Sequence, residues 1–267
     1  MATTYPHVVI AILAKQKAPV LWLYLQCIEA LDYPKSRITL WIRTNDSTDD
    51  TETILYEWIC RVGGRYKWIH WNKDSINPAI AKLGVHEWGP SRVEILGRLR
   101  KESLEYAIDK KADFYFVVDC DNYIKPHTLK ALIALNLPIV APLLRHTNPE
   151  SFYSNFWITG DAHGYFQDVP SFWSVVRQEI KGIIQADCVH CTYLVKLRNA
   201  ACEQLQYTDI PGPDGMRYEF IIFCESARRL GIQQYIDNRE VYGYLNMDEE
   251  ADTAARLLGV TRKEPAL

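Results

Sequence analysis

Solid apolar runs alternating with stretches of helical period constrain this chain more than any other feature of its sequence. Val8-Val9-Ile10-Ala11-Ile12-Leu13 reads as a buried strand, and Pro19 followed by Leu21, Leu25 and Ile28 at helical spacing predicts the helix after it. Ile38-Thr39-Leu40-Trp41-Ile42 predicts a second strand. The polar stretch 44–50 then offers Ser47, Thr48 and Asp49 as N-caps for a helix with Ile54, Leu55, Trp58 and Ile59 on one face. Gly63-Gly64 stops that helix, and Tyr66-Lys67-Trp68-Ile69-His70 begins a third strand. A βαβαβ start of this kind predicts an α/β fold built on a mostly parallel sheet with right-handed crossovers.

In such sheets ligands bind outside the carboxyl ends of the strands. The apolar run Phe114-Tyr115-Phe116-Val117-Val118 ends in Asp119-Cys120-Asp121. Two acids one residue apart in extended chain face the same side, where they can reach a divalent cation. The oxygen-seeking chemistry of such an ion suits Mg2+ or Mn2+ carrying a diphosphate. The plainer reading is that one acid caps the next helix and the other is solvated. Around the motif, 72–90 reads as a long polar loop, 92–108 as an amphipathic helix, 126–135 as a helix opened by Pro126, and 138–142 as a short strand. The segments 151–158, 163–167, 182–187 and 191–195 are short and turn-bounded, which predicts mixed strands on the edge of the first sheet. Residues 207–216 read as a loop, 219–230 as a helix stopped by Gly231, and 248–258 as a peripheral helix. No repeat or linker divides the 267 residues, so a single domain is expected.

Net charge is −3 with both signs dispersed, which offers no basic stripe for a nucleic acid. Eight Trp and sixteen Tyr suit a sugar or nucleotide ligand as well as core packing. Seven scattered cysteines read as buried thiols of a reducing compartment; Cys188-Val189-His190-Cys191 lacks the second pair a zinc finger needs. The start shows no charged leader followed by an apolar stretch, and no window is apolar enough to span a bilayer. The expectation from these features is a cytoplasmic protein.

Several stretches, in order over nearly the whole chain, resemble the collagen β-galactosyltransferase family, the hydroxylysine galactosyltransferases of glycosyltransferase family 25 with their viral and bacterial relatives. The matching passages are Val9-Ile10-Ala11-Ile12-Leu13-Ala14, Leu31-Asp32-Tyr33-Pro34, Trp88 with Ser91-Arg92, Asp119-Cys120-Asp121-Asn122, Val140-Ala141-Pro142-Leu143, Tyr153-Ser154-Asn155-Phe156-Trp157, Val189-His190-Cys191-Thr192 and Tyr242-Gly243-Tyr244-Leu245. The resemblance implies a GT-A, Rossmann-like fold, a UDP-hexose donor, a Mn2+ (or Mg2+) cofactor, and inverting transfer to a hydroxyl. The acceptor it implies is a collagen-like protein or another glycan. Residues 1–145 would bind the nucleotide sugar, 146–246 would face the acceptor, and 247–267 would form a C-terminal helix and tail.

Carried over residue by residue, Asp119 and Asp121 fall on the metal motif with Asn122 beside them; Asp121 suits direct metal contact and Asp119 the ribose or a metal-bound water. Cys120 is expected to point into the sheet packing. Arg92 and Arg98 are candidates for the diphosphate, Ala14 and Lys15 for the base and phosphates, and Thr44 and Asn45 for the ribose, although Asn45 stands where an acid is expected. The family's paired acids before Ile221 appear here as Tyr218-Glu219. Glu219 is therefore the candidate base for the acceptor hydroxyl, with Asp214 as its substitute. His190 is a candidate third metal ligand or a structural histidine. Trp157, Trp88 and Tyr165 are candidates for stacking on a sugar.

Other chemistries place two acids after a strand. A haloacid-dehalogenase phosphatase wants the motif near the chain start, and a sugar nucleotidyltransferase wants glycines that Ala14-Lys15-Gln16-Lys17-Ala18-Pro19 does not contain. A catalytically silent binding or adhesion module on the same scaffold is the remaining alternative. Asp119 and Asp121 argue against it, and Tyr218 argues for it.

Overall fold

The computed structural model describes residues 5–77, 87, 89–151, 153–208 and 217–262. The opening half folds as β1 (Val8–Leu13), α1 (Ala18–Ala30), β2 (Ile38–Arg43), α2 (Thr51–Val62), β3 (Trp68–Asn72), α3 (Pro90–Asp109) and β4 (Phe114–Val118). After the paired aspartates come β5 (Asn122–Ile124), α4 (Thr128–Leu135), β6 (Ile139–Pro142) and β7 (Leu144–His146). The remainder supplies β8 (Phe156–Trp157), α5 (Pro170–Val176), β9 (Ile183–Ala186), β10 (Cys188–Val189), β11 (Thr192–Lys196), α6 (Glu219–Arg229), β12 (Gln234–Asp237), β13 (Gly243–Leu245) and α7 (Asp252–Leu258).

Eight strands form the central sheet in the order β3-β2-β1-β4-β11-β6-β12-β9. β1 lies between β2 and β4, parallel to both, with Val8 opposite Ile38 on one side and Phe114 on the other. Only β11 and β9 run against the rest, so the sheet is mostly parallel. Successive β1 side chains enter opposite layers: Val8, Ile10 and Ile12 pack in one core with α1 and α2, while Val9 and Ala11 pack in the other beside Tyr115 and Val117. The period-two alternation of a strand thus buries both faces of one apolar run. Each buried Val or Ile of this run contributes roughly 1.5–3 kcal/mol on leaving water.

The segment 191–195 departs from expectation. It was expected on the sheet edge, but β11 sits in the middle, antiparallel to β4 and β6. The reason is that β4, with Phe114, Tyr115 and Phe116 buried, has one edge taken by β1 and needs a partner on the other. Thr192, Tyr193, Leu194 and Val195 are buried and supply it. β9 does occupy the edge, beside β12. Several short elements, β5, β7, α5, β12 and β13 among them, were not read from the sequence. α7 begins at Asp252 instead of 248, because the Asp248 amide turns back to Asn246 Oδ1 at 2.8 Å.

A second sheet, β5-β13-β7, ties the motif to the far end of the chain. Its β5 starts directly after Asp121, and the Asn246 amide donates to the Asp121 carbonyl at 3.1 Å. On the other side, Gly97 lets α3 close on α6. A Cβ there would stand 2.9 Å from the Tyr207 carbonyl oxygen and 3.5 Å from Glu219 Cβ. Gly97→Ala is expected to lower stability by about 2 kcal/mol in urea unfolding, since backbone must move to admit the methyl; an unchanged midpoint would contradict this packing.

Candidate active site

A cavity of about 410 Å3 opens at the carboxyl ends of β1, β2 and β4. Leu13, Ala14, Lys15 and Lys17 enter it from the end of β1, Arg43 and Asn45 from the end of β2, and Arg92, Leu96 and Arg100 from α3. Asp119, Cys120, Asp121 and Asn122 form the wall after β4, and Glu219 and Phe220 enter from the start of α6.

The motif is fixed by backbone and buried charge together. The Asp119 amide donates to the Cys191 carbonyl at 2.9 Å, and the Asn122 amide donates to the Asp119 carbonyl at 3.0 Å. The Asp119 carboxylate is ion-paired with Arg100, whose side chain is only 5% exposed. Burial pushes the Asp119 carboxyl upward while Arg100 pulls it down, and Arg100 stays protonated against its own burial because Asp119 faces it. Cys120 turns away, its thiol directed to the Leu13 carbonyl at 3.2 Å. The Asn122 amide group donates to Thr192 Oγ1 at 2.7 Å, which locks the motif to β11.

On the opposite side of the motif, Lys17 Nζ contacts Asp121 Oδ2 at 3.1 Å and Glu249 Oε1 at 2.6 Å. Burial opposes its charge, but the two acids outweigh burial and raise its pKa. Glu219 is the first residue of α6 and is 7% exposed. Burial raises its carboxyl from 4.5 to about 7, with Arg100 opposing and Asp119 assisting. Its Oε2 is buried with no hydrogen-bond partner among the described residues.

The residues singled out from the sequence divide accordingly. Ala14, Lys15, Asn45, Arg92, Asp119, Asp121, Asn122 and Glu219 share the cavity. Thr44 lies beneath it, its amide bound to the Asn72 carbonyl at 3.2 Å and its hydroxyl to Ser47 Oγ at 3.2 Å. Arg98 faces solvent, 53% exposed and 3.9 Å from Glu102. His190 and Trp157 are not brought to the aspartates. The His190 ring lies 5.0 Å from Trp157, 5.1 Å from Phe220 and 5.7 Å from Tyr153, and burial lowers it to about 3, so it is a neutral ring in an aromatic box. Trp157 is occupied by that box and by Phe166. Tyr165 packs edge-on against Tyr218 at 6.4 Å. Asp214 and Trp88 lie outside the described residues.

The sequence reading missed Arg100, Lys17 and Glu249. Arg100 had a signal: it falls on the stripe of Val93, Gly97, Leu104 and Ala107 that α3 buries, and a charge on a buried stripe needs a partner. Lys17 and Glu249 had none, being 232 residues apart. Cys188 meets Cys224, sulfur to sulfur at 2.9 Å, and no group of three or more His, Cys, Asp or Glu among the described residues is placed to hold a metal. The oxygen donors nonetheless suit a hard cation: Asp119 and Asp121 line the cavity, and Glu219 Oε2 and Glu249 Oε2 are buried oxygens without partners among the described residues.

A mostly parallel sheet with paired aspartates at the end of its central strand is the GT-A glycosyltransferase architecture. Solved structures agree in fold: S. aureus TarS 1-349 in complex with UDP-GlcNAc matches 93% of this chain and 61% of its own, with a TM-score of 0.58 at 13% identity. A mannosyltransferase, PcManGT from Pyrobaculum calidifontis in complex with GDP-Man and Mn2+, matches 91% of this chain and 57% of its own, with a TM-score of 0.53 at 13% identity. The chain belongs to glycosyltransferase family 25, whose N-terminal domain matches residues 5–256. It is 35% identical over 245 residues to procollagen galactosyltransferase 2 of Homo sapiens, covering 90% of this chain and 38% of the relative. It is 36% identical over 243 residues to procollagen galactosyltransferase 1 of Danio rerio, covering 90% of this chain and 40% of the relative. It is also 31% identical over 246 residues to the inactive glycosyltransferase 25 family member 3 of Homo sapiens, covering 91% of this chain and 41% of the relative.

The chain thus spans about two fifths of the length of the curated relatives it matches. These relatives overturn the cytoplasmic expectation. They are named for procollagen, a precursor made in the secretory pathway, and because this chain spans only part of their length, where it begins says nothing about a leader. Among the described residues no helix is long and apolar enough to cross a membrane.

Glu219 gives the site a pH signature in stability. The folded protein keeps a proton on Glu219 that the unfolded chain has released, so this contribution is complete below about 4.5 and is lost as pH rises through about 7. Relative to Glu219→Gln, the wild type is expected to lose about 3 kcal/mol of stability across that window, followed by urea titration at each pH. A pH-independent difference between the two would contradict the buried carboxyl.

Proposed function

We propose that this chain is a metal-dependent, inverting hexosyltransferase that moves a hexose, galactose favoured over glucose, from a UDP-sugar to a hydroxyl of a collagen-like protein, such as hydroxylysine, or of another glycan. The observation that carries the proposal is the convergence of Asp119, Asp121 and Glu219 on one cavity that basic side chains also line. Lys15 and Arg92 are two of them. Burial lowers the Lys15 pKa and repulsion from Arg92 lowers it further, so an anion between them relieves both charges. A diphosphate is such an anion. Ala14 and Asn45, at the ends of β1 and β2, are left for the base and ribose.

A divalent cation held by Asp121, with Asp119 beside it, would neutralise the charge that grows on a departing diphosphate. Arg100 fixes the Asp119 carboxylate so that the motif keeps its orientation when ligands change. Glu219, with a pKa near 7 and an oxygen left without a partner, is suited to take the acceptor hydroxyl proton. Residues 1–145 would carry the donor side and 146–246 the acceptor side, although β11 lies within the central sheet and so belongs to the shared core. The silent-module reading draws on Tyr218 and on relatives named inactive.

Incubation with a panel of UDP-sugars and Mn2+, with detection of free UDP, tests the proposal. One donor should be consumed, Asp121→Ala should abolish the metal-dependent part, and near-wild-type turnover in that variant would refute it. Glu219→Gln should lower turnover by about 10²–10⁴-fold while UDP still binds, and wild-type activity should rise with pH to a plateau above about 7. UDP-sugar binding without turnover of any donor would favour the silent module.

A further inference from the structure

Lys17 is gripped by two carboxylates from distant parts of the chain. Its ammonium lies 3.1 Å from Asp121 Oδ2 and 2.6 Å from Glu249 Oε1, with only 16% of its side chain exposed. Asp121 lines the cavity, and Glu249 stands in the turn between β13 and α7 that the Asn246 amide fastens to the Asp121 carbonyl. Two acids converging on one ammonium make a cation site that the protein fills with its own charge. The filling is incomplete. Glu249 Oε2 is buried and has no hydrogen-bond partner among the described residues, and Glu249 is held at a φ of 54°, in the left-handed region that a non-glycine residue adopts at a cost. One ammonium with three protons leaves that oxygen unused; a divalent ion, which gathers six or more oxygens, would use it.

We propose that Glu249 completes the divalent-cation site with Asp121, and that the Lys17 ammonium balances the two acids until the ion displaces it. The proposal rests on the reading of Asp121 as the cation's ligand. It makes Lys17 a competitor of the ion. Displaced, the ammonium stays in the cavity beside Lys15, where a diphosphate offers it a new anionic partner. No bond is made or broken in the exchange; one cation replaces another at the same oxygens.

The test is Mn2+ binding to the full chain without nucleotide, measured by the electron paramagnetic resonance signal of free Mn2+. Lys17→Met should bind Mn2+ roughly ten-fold tighter than wild type, because a positive charge has left the site. Glu249→Gln placed in the Lys17→Met background should weaken binding again by about ten-fold or more. The backbone at Lys17 is held separately, its amide donating to Thr51 Oγ1 at 2.7 Å, and a thermal melt identifies any variant that fails to fold. Lys17→Gln, which keeps hydrogen bonding without charge, then replaces it and should tighten binding too. Unchanged or weaker Mn2+ binding in the charge-neutral variants, or no effect of Glu249→Gln in that background, would overturn the proposal. Asp121→Asn separates the two layers. If it abolishes Mn2+ binding while Lys17 and Glu249 variants change nothing, only the proposal falls; if it changes nothing, the reading of Asp121 falls as well.

Discussion

The ion pair between Arg100 and Asp119 is the interaction on which the rest of this site depends. Arg100 is buried while the Asp119 side chain keeps 28% of its surface exposed, so removing the acid would leave the guanidinium's charge uncompensated away from water, at a cost of about 3–5 kcal/mol. The pair joins α3 to the end of β4, and the same helix carries Gly97 one turn earlier, where the missing side chain admits the start of α6. Glu219 is therefore buried beside Arg100 and Asp119, and its carboxyl is raised by burial toward neutrality. A motif strand, a buried arginine, a glycine and a helix start form one mechanical unit.

Charge around the cavity is arranged on two sides of that unit. Lys15 and Arg92 both line the cavity and repel each other, while Lys17 is claimed by Asp121 and Glu249. On the proposed reading the cavity receives an anionic ligand and a cation together, without leaving a net charge stranded in a half-buried place. This pairing of needs, an anion for one wall and a cation for the other, is what a nucleotide diphosphate with its metal supplies. Membership of glycosyltransferase family 25 supports the same reading from an independent direction.

Most of the first half was legible because its strands are unbroken apolar runs and its helices carry a clear stripe. β1 and β4 fall where Val8-Val9-Ile10-Ala11-Ile12-Leu13 and Phe114-Tyr115-Phe116-Val117-Val118 place them. The second half was less legible because its strands are two to five residues long, and short segments of that kind do not announce their neighbours. β11 looked like an edge strand because nothing local reveals that β4 lacks a partner. In the site, the motif itself and Glu219 were visible as acids at element ends. Arg92 and Arg98 drew attention over Arg100 through the resemblance, which places basic residues on this helix and matches Ser91-Arg92, whereas burial of the charge is the informative property. Trp157 and His190, plausible as ligand contacts by residue type, are consumed by packing against each other and Phe220.

The central claim is that the residues after β4 grip a cation and a nucleotide diphosphate in one cavity. A crystal of this chain grown with UDP and Mn2+, with data collected at the manganese absorption edge, tests it most directly. The account predicts a single strong anomalous peak bonded to an Asp121 carboxylate oxygen, with the diphosphate between that ion and the side chains of Lys15 and Arg92. A peak elsewhere, or UDP bound outside the cavity, would contradict it.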